Sequence, residues 1–158
     1  MTGVLKMIDV VEIGVEKEKA REAFYGRVAD HFDDPDMKSL FTRLRDWETN
    51  HVKKFKSILA SMEENETVES YPGEMSSYIR ALVDDSLYKQ IDADHFHEYI
   101  KNPLDAINYG IGFEKDSILL FQELMKYVQT ENKDIIMQLI DEERHHIVYL
   151  IKLKQQKQ

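Results

Sequence analysis

Two short motifs in this chain pair a glutamate with a histidine three positions later. They are Glu48-Thr49-Asn50-His51 and Glu143-Arg144-His145-His146. Residues three apart lie on adjacent turns of one face of an α-helix, so the carboxylate and the imidazole can contact the same ion or two neighbouring ions. A lone glutamate precedes each motif, Glu16 by 32 residues and Glu114 by 29. Carboxylate and imidazole together suit the binding of divalent transition metals.

Helical periodicity places both motifs on the inward face of a long helix. Between residues 135 and 150, apolar residues recur three or four positions apart, and Glu143 and His146 lie on that same face. Glu142 and His145 form an overlapping pair, but they belong to a more polar row. We therefore assign the inward positions to Glu143 and His146, and we expect a supporting or surface position for Glu142 and His145.

The charge of these residues indicates what must accompany them. The candidate metal ligands are Glu16, Glu48, His51, Glu114, Glu143 and His146. Burying ionised carboxylates without compensation is very costly, and the predicted inward faces carry no matching set of lysines or arginines. Two divalent cations would neutralise the four acids. Mixed carboxylate and imidazole ligation favours iron or manganese over zinc, which prefers thiolates in structural sites.

Four long helices are predicted to position the candidate ligands. We expect helices over about 4–31, 35–62, from Asn102-Pro103 onward, and 134–154, with a polar break at 130–133 and a fraying tail at 155–158. The inward face of the first helix is traced through Ile13, Glu16, Ala20, Phe24 and Val28. A long connection, helical around 74–89, separates the second helix from the third. This order predicts an all-α, ferritin-like antiparallel four-helix bundle that forms a single domain over residues 1–158.

Composition excludes several other classes of protein. The chain has no cysteine, which removes disulfides, zinc ribbons and iron–sulfur centres, and we expect a reducing, cytoplasmic location. The net charge of −9 argues against binding to nucleic acid. No stretch approaches the ~18 unbroken apolar residues of a membrane-spanning helix, so we expect no membrane association.

The motifs resemble those of the rubrerythrin-related branch of the ferritin-like superfamily. The resemblance covers essentially the whole chain and is carried by VEKEKAREAFY, DWETNHVKKF, GFEKDSILLF and IDEERHHIVYL. It implies a di-iron centre in which Glu48 and Glu143 bridge the two metals. Glu16 and His51 would complete the ligands of one iron, and Glu114 and His146 those of the other. It also implies an oxidoreductase that acts on peroxide, dioxygen or Fe(II).

The chain departs from that family's pattern in ways that affect its partners. The cysteine-ligated rubredoxin domain of full-length rubrerythrins is lacking, so we expect a separate electron donor beside the small-molecule oxidant. Ser117 stands where rubrerythrins usually carry an additional glutamate. A homodimer remains open, as do manganese or zinc in place of iron. The alternative functions are a non-catalytic iron-binding or iron-sensing protein and a purely structural bundle.

Overall fold

All of the regular secondary structure is helical over the part of the chain that the computed structural model describes. The described residues are 7–64, 77–78, 80–82, 91–126, 128 and 130–158. The helices are α1 (Met7–His31), α2 (Pro35–Glu64), a short α3 (Phe96–Tyr99), α4 (Pro103–Leu124) and α5 (Thr130–Lys157). α1 packs mainly against α2, and α4 mainly against α5. The all-α four-helix architecture is thus confirmed.

Side-chain caps fix where two of the long helices begin. The Asn102 side chain accepts a hydrogen bond from the backbone N–H of Asp105 at 2.9 Å, and Pro103 occupies the first position of α4. The Asp34 carboxylate accepts from the backbone N–H groups of Asp36 and Met37 at 2.9 and 3.0 Å. These contacts satisfy N–H groups that have no partner inside the helix, so both predicted starts are explained by capping.

The last helix is longer than the sequence pattern predicts. The expected polar break at 130–133 forms the first turns of α5, and residues 155–157 of the expected fraying tail continue the helix. Lys157 makes an ion pair with Asp34 and lies 3.8 Å from the carboxylate of Asp36. The end of α5 is therefore held against the start of α2. The helix expected around 74–89 lies largely outside the described residues, of which 77–78 and 80–82 are helical.

The buried core consists of two apolar clusters with a polar layer between them. The first cluster contains Val10, Val11, Val15, Phe55, Ile58, Leu120, Phe121, Leu124, Val128, Ile136, Leu139 and Ile140. The second contains Phe24, Tyr25, Val28, Ala29, Met37, Leu40, Phe41, Leu44, Ile91, Phe96, Ile100, Ala106, Ile107, Phe113, Leu150 and Leu153. On each of the four long helices, the positions between the two clusters are occupied by buried polar side chains. No helix among the described residues is long and apolar enough to span a bilayer.

The Asn102 cap can be tested by a single substitution. We expect Asn102→Ala to lower the free energy of unfolding by about 1 kcal/mol, because the N–H of Asp105 loses its acceptor. Urea denaturation measures this change. Asn108→Ala is the matched control, since Asn108 is exposed on the same helix. An equal loss in both variants would show that the cap has no stabilising role.

Candidate metal centre

Six buried side chains from the four long helices converge in the polar layer. They are Glu18 of α1, Glu48 and His51 of α2, Glu114 of α4, and Glu143 and His146 of α5. They form two overlapping groups, each with ligand atoms that all lie within 4.8 Å of one another. The first group is Glu18, Glu48, His51 and Glu143, and the second is Glu48, Glu114, Glu143 and His146. Glu48 and Glu143 belong to both groups, which is the arrangement required of carboxylates that bridge two ions.

Five of the six predicted ligands lie in this cluster, and Glu16 does not. The Glu16 side chain is 73 % exposed and lies 3.4 Å from the Lys19 ammonium. Glu18 occupies the inward position instead and is 1 % exposed. A shift of two residues turns a side chain about 200° around a helix, so the two acids face opposite directions. The predicted inward face of α1 was therefore wrong at this position.

The spacing of the two halves carried a signal for Glu18. Glu18 precedes Glu48 by 30 residues, close to the 29 that separate Glu114 from Glu143, whereas Glu16 precedes Glu48 by 32. The similar spacing therefore favours Glu18 as the counterpart of Glu114. The buried row of α1 runs through Val11, Val15, Glu18 and Tyr25.

A fully buried arginine, Arg21, lies among the four carboxylates. Its Nη2 contacts Glu18 Oε1 and lies 3.1 Å from Glu48 Oε2. Its Nη1 lies 3.3 Å from Glu114 Oε2 and 3.0 Å from Glu143 Oε2. The prediction of no matching set of lysines or arginines on the inward faces overlooked this residue, whose single charge offsets part of that of the four acids. Arg21 is one turn after Glu18, so the correct face for Glu18 also places the guanidinium inside.

Both histidines turn Nδ1 toward the carboxylates. The Nδ1 atom of His51 lies 2.6 Å from Glu143 Oε1 and 3.2 Å from Glu48 Oε2. The Nδ1 atom of His146 lies 3.3 Å from Glu114 Oε1 and 3.4 Å from Glu48 Oε1. The two imidazole rings are stacked, with centroids 5.5 Å apart. Each group of ligands therefore has its own histidine.

Glu142 lies outside the cluster and holds one of its histidines. The Nε2–H of His51 donates to Glu142 Oε2 at 2.5 Å, and the Lys54 ammonium donates to the other carboxylate oxygen at 3.0 Å. This pattern fixes the tautomer of the imidazole and leaves Nδ1 available as a ligand. These hydrogen bonds, that from His51 first, lower the pKa of Glu142 to about 2. The exposed His145 instead contacts the backbone oxygen of Asp141 at 2.7 Å.

Tyr25 supports Glu114, a carboxylate of the second group of ligands. Its hydroxyl donates to Glu114 Oε1 at 2.5 Å, and the residue is completely buried. Burial, reinforced by the negative charge of Glu114, raises the pKa of Tyr25 well above its usual value. The phenol therefore remains protonated and serves as a fixed hydrogen-bond donor.

The carboxyl groups differ in their tendency to carry a proton. Burial raises the pKa of Glu18 above its usual value, and the charge of Glu48 adds to the effect. Burial also opposes ionisation of Glu48 and is the largest influence on it, but the charge of Arg21 and contacts with Glu18 and His51 bring its pKa below the usual range. Arg21 has the same effect on Glu114, whose pKa is lowered despite its burial. The guanidinium thus keeps carboxylates ionised in an apolar interior.

The histidines respond to the same acids in the opposite sense. Burial is the largest influence on His51 and disfavours its charged form, but Glu48 and the hydrogen bond to Glu142 raise its pKa to about 11. Burial likewise opposes charge on His146, and contacts with Glu114 and Glu48 raise its pKa to about 8. Both shifts report strongly negative surroundings, which attract any cation.

The donor set fits a pair of metal ions. Among the described side chains, five carboxylate oxygens of Glu18, Glu48 and Glu143 have no hydrogen-bond partner, nor do the Nδ1 atoms of His51 and His146. These buried atoms are carboxylate oxygen and imidazole nitrogen, the ligands that iron and manganese accept. A buried acceptor without a donor is costly, and a coordinated cation would satisfy it. The cluster therefore has a donor set that could hold metal ions.

A cleft of about 600 Å³ lies beside the cluster and is open to the surface. Its walls are formed by Trp47, Asn50, Lys53, Lys54, Glu142, His145, His146 and Tyr149. The Trp47 ring stacks on His146 at a centroid distance of 5.0 Å, and the Tyr149 ring stacks on Trp47 at 5.5 Å. A continuous row of rings thus leads from the cleft to the stacked His146 and His51 in the buried layer.

Comparisons with known proteins agree with this description of the chain. The model of the family described as Rubrerythrin matches residues 9–154. A solved structure from Thermotoga maritima, described as a candidate ferritin-like diiron-carboxylate protein, is 22 % identical. The match covers 100 % of both chains with a TM-score of 0.74, which supports the ferritin-like bundle fold. No curated protein matches the chain.

The presence of Glu18, and not Glu16, in the cluster leads to a paired prediction. We expect Glu18→Gln to weaken Co(II) binding by about tenfold or more, because it removes a charged ligand from the first group. We expect Glu16→Gln to bind Co(II) as the unmodified chain does. Isothermal titration measures both affinities. Loss of binding in Glu16→Gln, with Glu18→Gln unchanged, would restore the original assignment.

The role of Glu142 can be separated from general changes in charge. We expect Glu142→Ala to reduce Co(II) affinity about 10–100-fold, because the His51 ring loses the acceptor that orients it. Asp141→Ala removes a neighbouring carboxylate that is exposed and pairs with Arg144, so it is the control. Equal affinities in the two variants would indicate that His51 is positioned by packing alone.

Proposed function

This chain belongs to the rubrerythrin family, and we propose that its buried cluster is a di-iron carboxylate centre with oxidoreductase activity toward peroxide, dioxygen or Fe(II). The observation that carries the proposal is the sharing of Glu48 and Glu143 between two groups of ligands. Each group adds one glutamate and one histidine of its own. Two adjacent ions held by shared carboxylates are suited to two-electron chemistry.

When bound, a pair of Fe(II) ions would supply the two electrons that reduce one hydrogen peroxide, with two protons, to two waters. The chain's own residues would hold the two ions in adjacent positions for this reaction. Glu18 and His51 would hold one ion, Glu114 and His146 the other, and Glu48 and Glu143 would contact both. Manganese fits the same donors, so the identity of the metal is part of the proposal.

The surroundings of the cluster restrict access to it. The two apolar clusters pack above and below the polar layer and exclude bulk water from the ligands. The cleft beside His146 would admit a molecule as small as hydrogen peroxide or dioxygen. The Tyr25 hydroxyl would keep Glu114 in one orientation, and Glu142 would do the same for His51. The residues around the cluster would therefore bind the ions and orient the ligands, while the oxidant would enter through the cleft beside His146.

A separate electron donor would complete a catalytic cycle. The sequence contains no cysteine to hold an iron–sulfur or rubredoxin-type group. The row of stacked rings from Tyr149 through Trp47 to His146 is a short path from the cleft to the cluster. Lys53 at the same cleft would favour an anionic donor, whereas the charge of Lys54 is offset by its ion pair with Glu142. The partner we propose is thus an anionic reductant that approaches this face.

Reconstitution with iron tests the proposal directly. We expect the chain, given two equivalents of Fe(II) without oxygen, to bind both ions and to oxidise them when hydrogen peroxide or air is added. The Fe(III) absorption in stopped-flow experiments and Mössbauer spectra follow this change. Glu143→Ala, which lacks one shared carboxylate, should bind less iron and oxidise it more slowly.

Three outcomes separate the candidate functions. Repeated turnover of peroxide with an added reductant supports an oxidoreductase. Stable iron binding without oxidation would instead favour an iron-binding or iron-sensing protein. No uptake of iron, manganese or cobalt would overturn the metal centre and leave a structural bundle.

A further inference from the structure

We propose that Arg21 is an internal counter-cation that occupies the carboxylate cluster before metal binds and gives up the two shared carboxylates when a pair of ions enters. This inference rests on the proposed metal centre and concerns how that centre is filled. It assigns to Arg21 a role in metal uptake that follows from its contacts with all four acids.

The guanidinium contacts one oxygen of each of the four carboxylates. Its contacts are to Glu18 Oε1, Glu48 Oε2, Glu114 Oε2 and Glu143 Oε2. The second oxygen of each acid lies near an imidazole nitrogen, at 2.6 Å for Glu143, 3.3 Å for Glu114, 3.4 Å for Glu48 and 3.6 Å for Glu18. Arg21 and the two histidines therefore contact mostly different oxygens of the acids, and the exception is Glu48 Oε2, which also lies 3.2 Å from His51 Nδ1.

Arginine suits this position because it is always charged and presents several N–H donors in one plane. Arg21 has no exposed surface, so its own charge requires partners as much as the acids do. The guanidinium and the carboxylates thus offset part of one another's charge without a metal, while five of the carboxylate oxygens still lack a hydrogen bond. The polar layer is then compatible with a folded chain before any ion is bound.

The same contacts would make Arg21 compete with a bound pair of ions. A bridging carboxylate uses both of its oxygens, and Arg21 holds Oε2 of both shared acids, Glu48 and Glu143. An ion on those oxygens would lie within a few ångströms of the guanidinium, where two cations repel strongly because the surroundings have a low dielectric constant. The guanidinium and the metal pair therefore compete for these two oxygens.

Helix α4 offers the guanidinium other acceptors away from the shared acids. The Nη1 group also donates to Ser117 Oγ and lies 3.4 Å from the backbone oxygen of Phe113. Ser117 is buried one turn after Glu114. A serine accepts the arginine without adding a further negative charge. Arg21 can thus remain buried against α4 while the side chains of Glu48 and Glu143 turn toward the ions.

The experiment compares Arg21→Gln, which removes the charge, with Arg21→Lys, which retains it. Arg45→Gln is the control, because Arg45 pairs with Asp46 at a largely exposed position. Each protein is stripped with a chelator and titrated with Co(II), and its melting temperature is measured with and without the metal. Co(II) serves as the probe because it is stable in air.

We expect Arg21→Gln to bind Co(II) about tenfold more tightly than the unmodified chain, or tighter, since the competing cation is gone. Its stripped form should melt about 10 °C lower or more, because four buried acids lose their counter-charge, and Co(II) should restore most of the loss. Arg21→Lys should lie between the two in affinity and in melting temperature. Arg45→Gln should match the unmodified chain.

The outcomes distinguish this inference from the proposed function. Tight Co(II) binding by the unmodified chain, with no gain in Arg21→Gln, overturns the competition and leaves the metal centre intact. An unchanged melting temperature of stripped Arg21→Gln also overturns the inference. Absence of Co(II) binding in all of the proteins overturns the proposed function and this inference together. If stripped Arg21→Gln does not fold, an affinity of Arg21→Lys equal to that of the unmodified chain is the result that contradicts competition.

Discussion

The structure depends on the mutual compensation of charge in one buried layer. Four carboxylates, two imidazoles and one guanidinium lie between two apolar clusters, all with almost no exposure to solvent. None of these groups could be buried alone at an acceptable cost. All four long helices contribute to the layer, so it also fixes how far each helix can slide or rotate against its neighbours.

The sequence predicted most of the bundle because its helices have regular apolar rows and clear caps. The rows on α2, α4 and α5 correctly identified five side chains of the cluster. On α1 the pattern was ambiguous, because Ile13 and Ala20 are half-buried and apolar residues occupy more than one row. A helix that packs against two neighbours buries a wide face, and periodicity alone then does not locate its centre. The choice of Glu16 over Glu18 followed from this ambiguity.

Two other features lay beyond sequence patterns. Arginine is rarely buried without partners. The pattern of apolar residues on α1 therefore predicts that Arg21 faces solvent, unless its buried partners are known. Glu18 lies on the same helix, but the other three acids come from three other helices and meet Arg21 only after folding. The same is true of Glu142, which holds a histidine 91 residues away in the chain. The motif Glu-x-x-His identifies ligands within one helix, but the residues that orient those ligands are recruited across the bundle.

The pairing of Arg21 with Ser117 makes the two halves of the chain unequal. Each follows its glutamate by three residues, Arg21 after Glu18 and Ser117 after Glu114, and the two side chains touch across the interior. The halves therefore share a pattern of ligands but differ in charge at one equivalent place. Any two ions bound here would experience different electric fields, and a spectroscopic probe would resolve them as two environments instead of one symmetric pair.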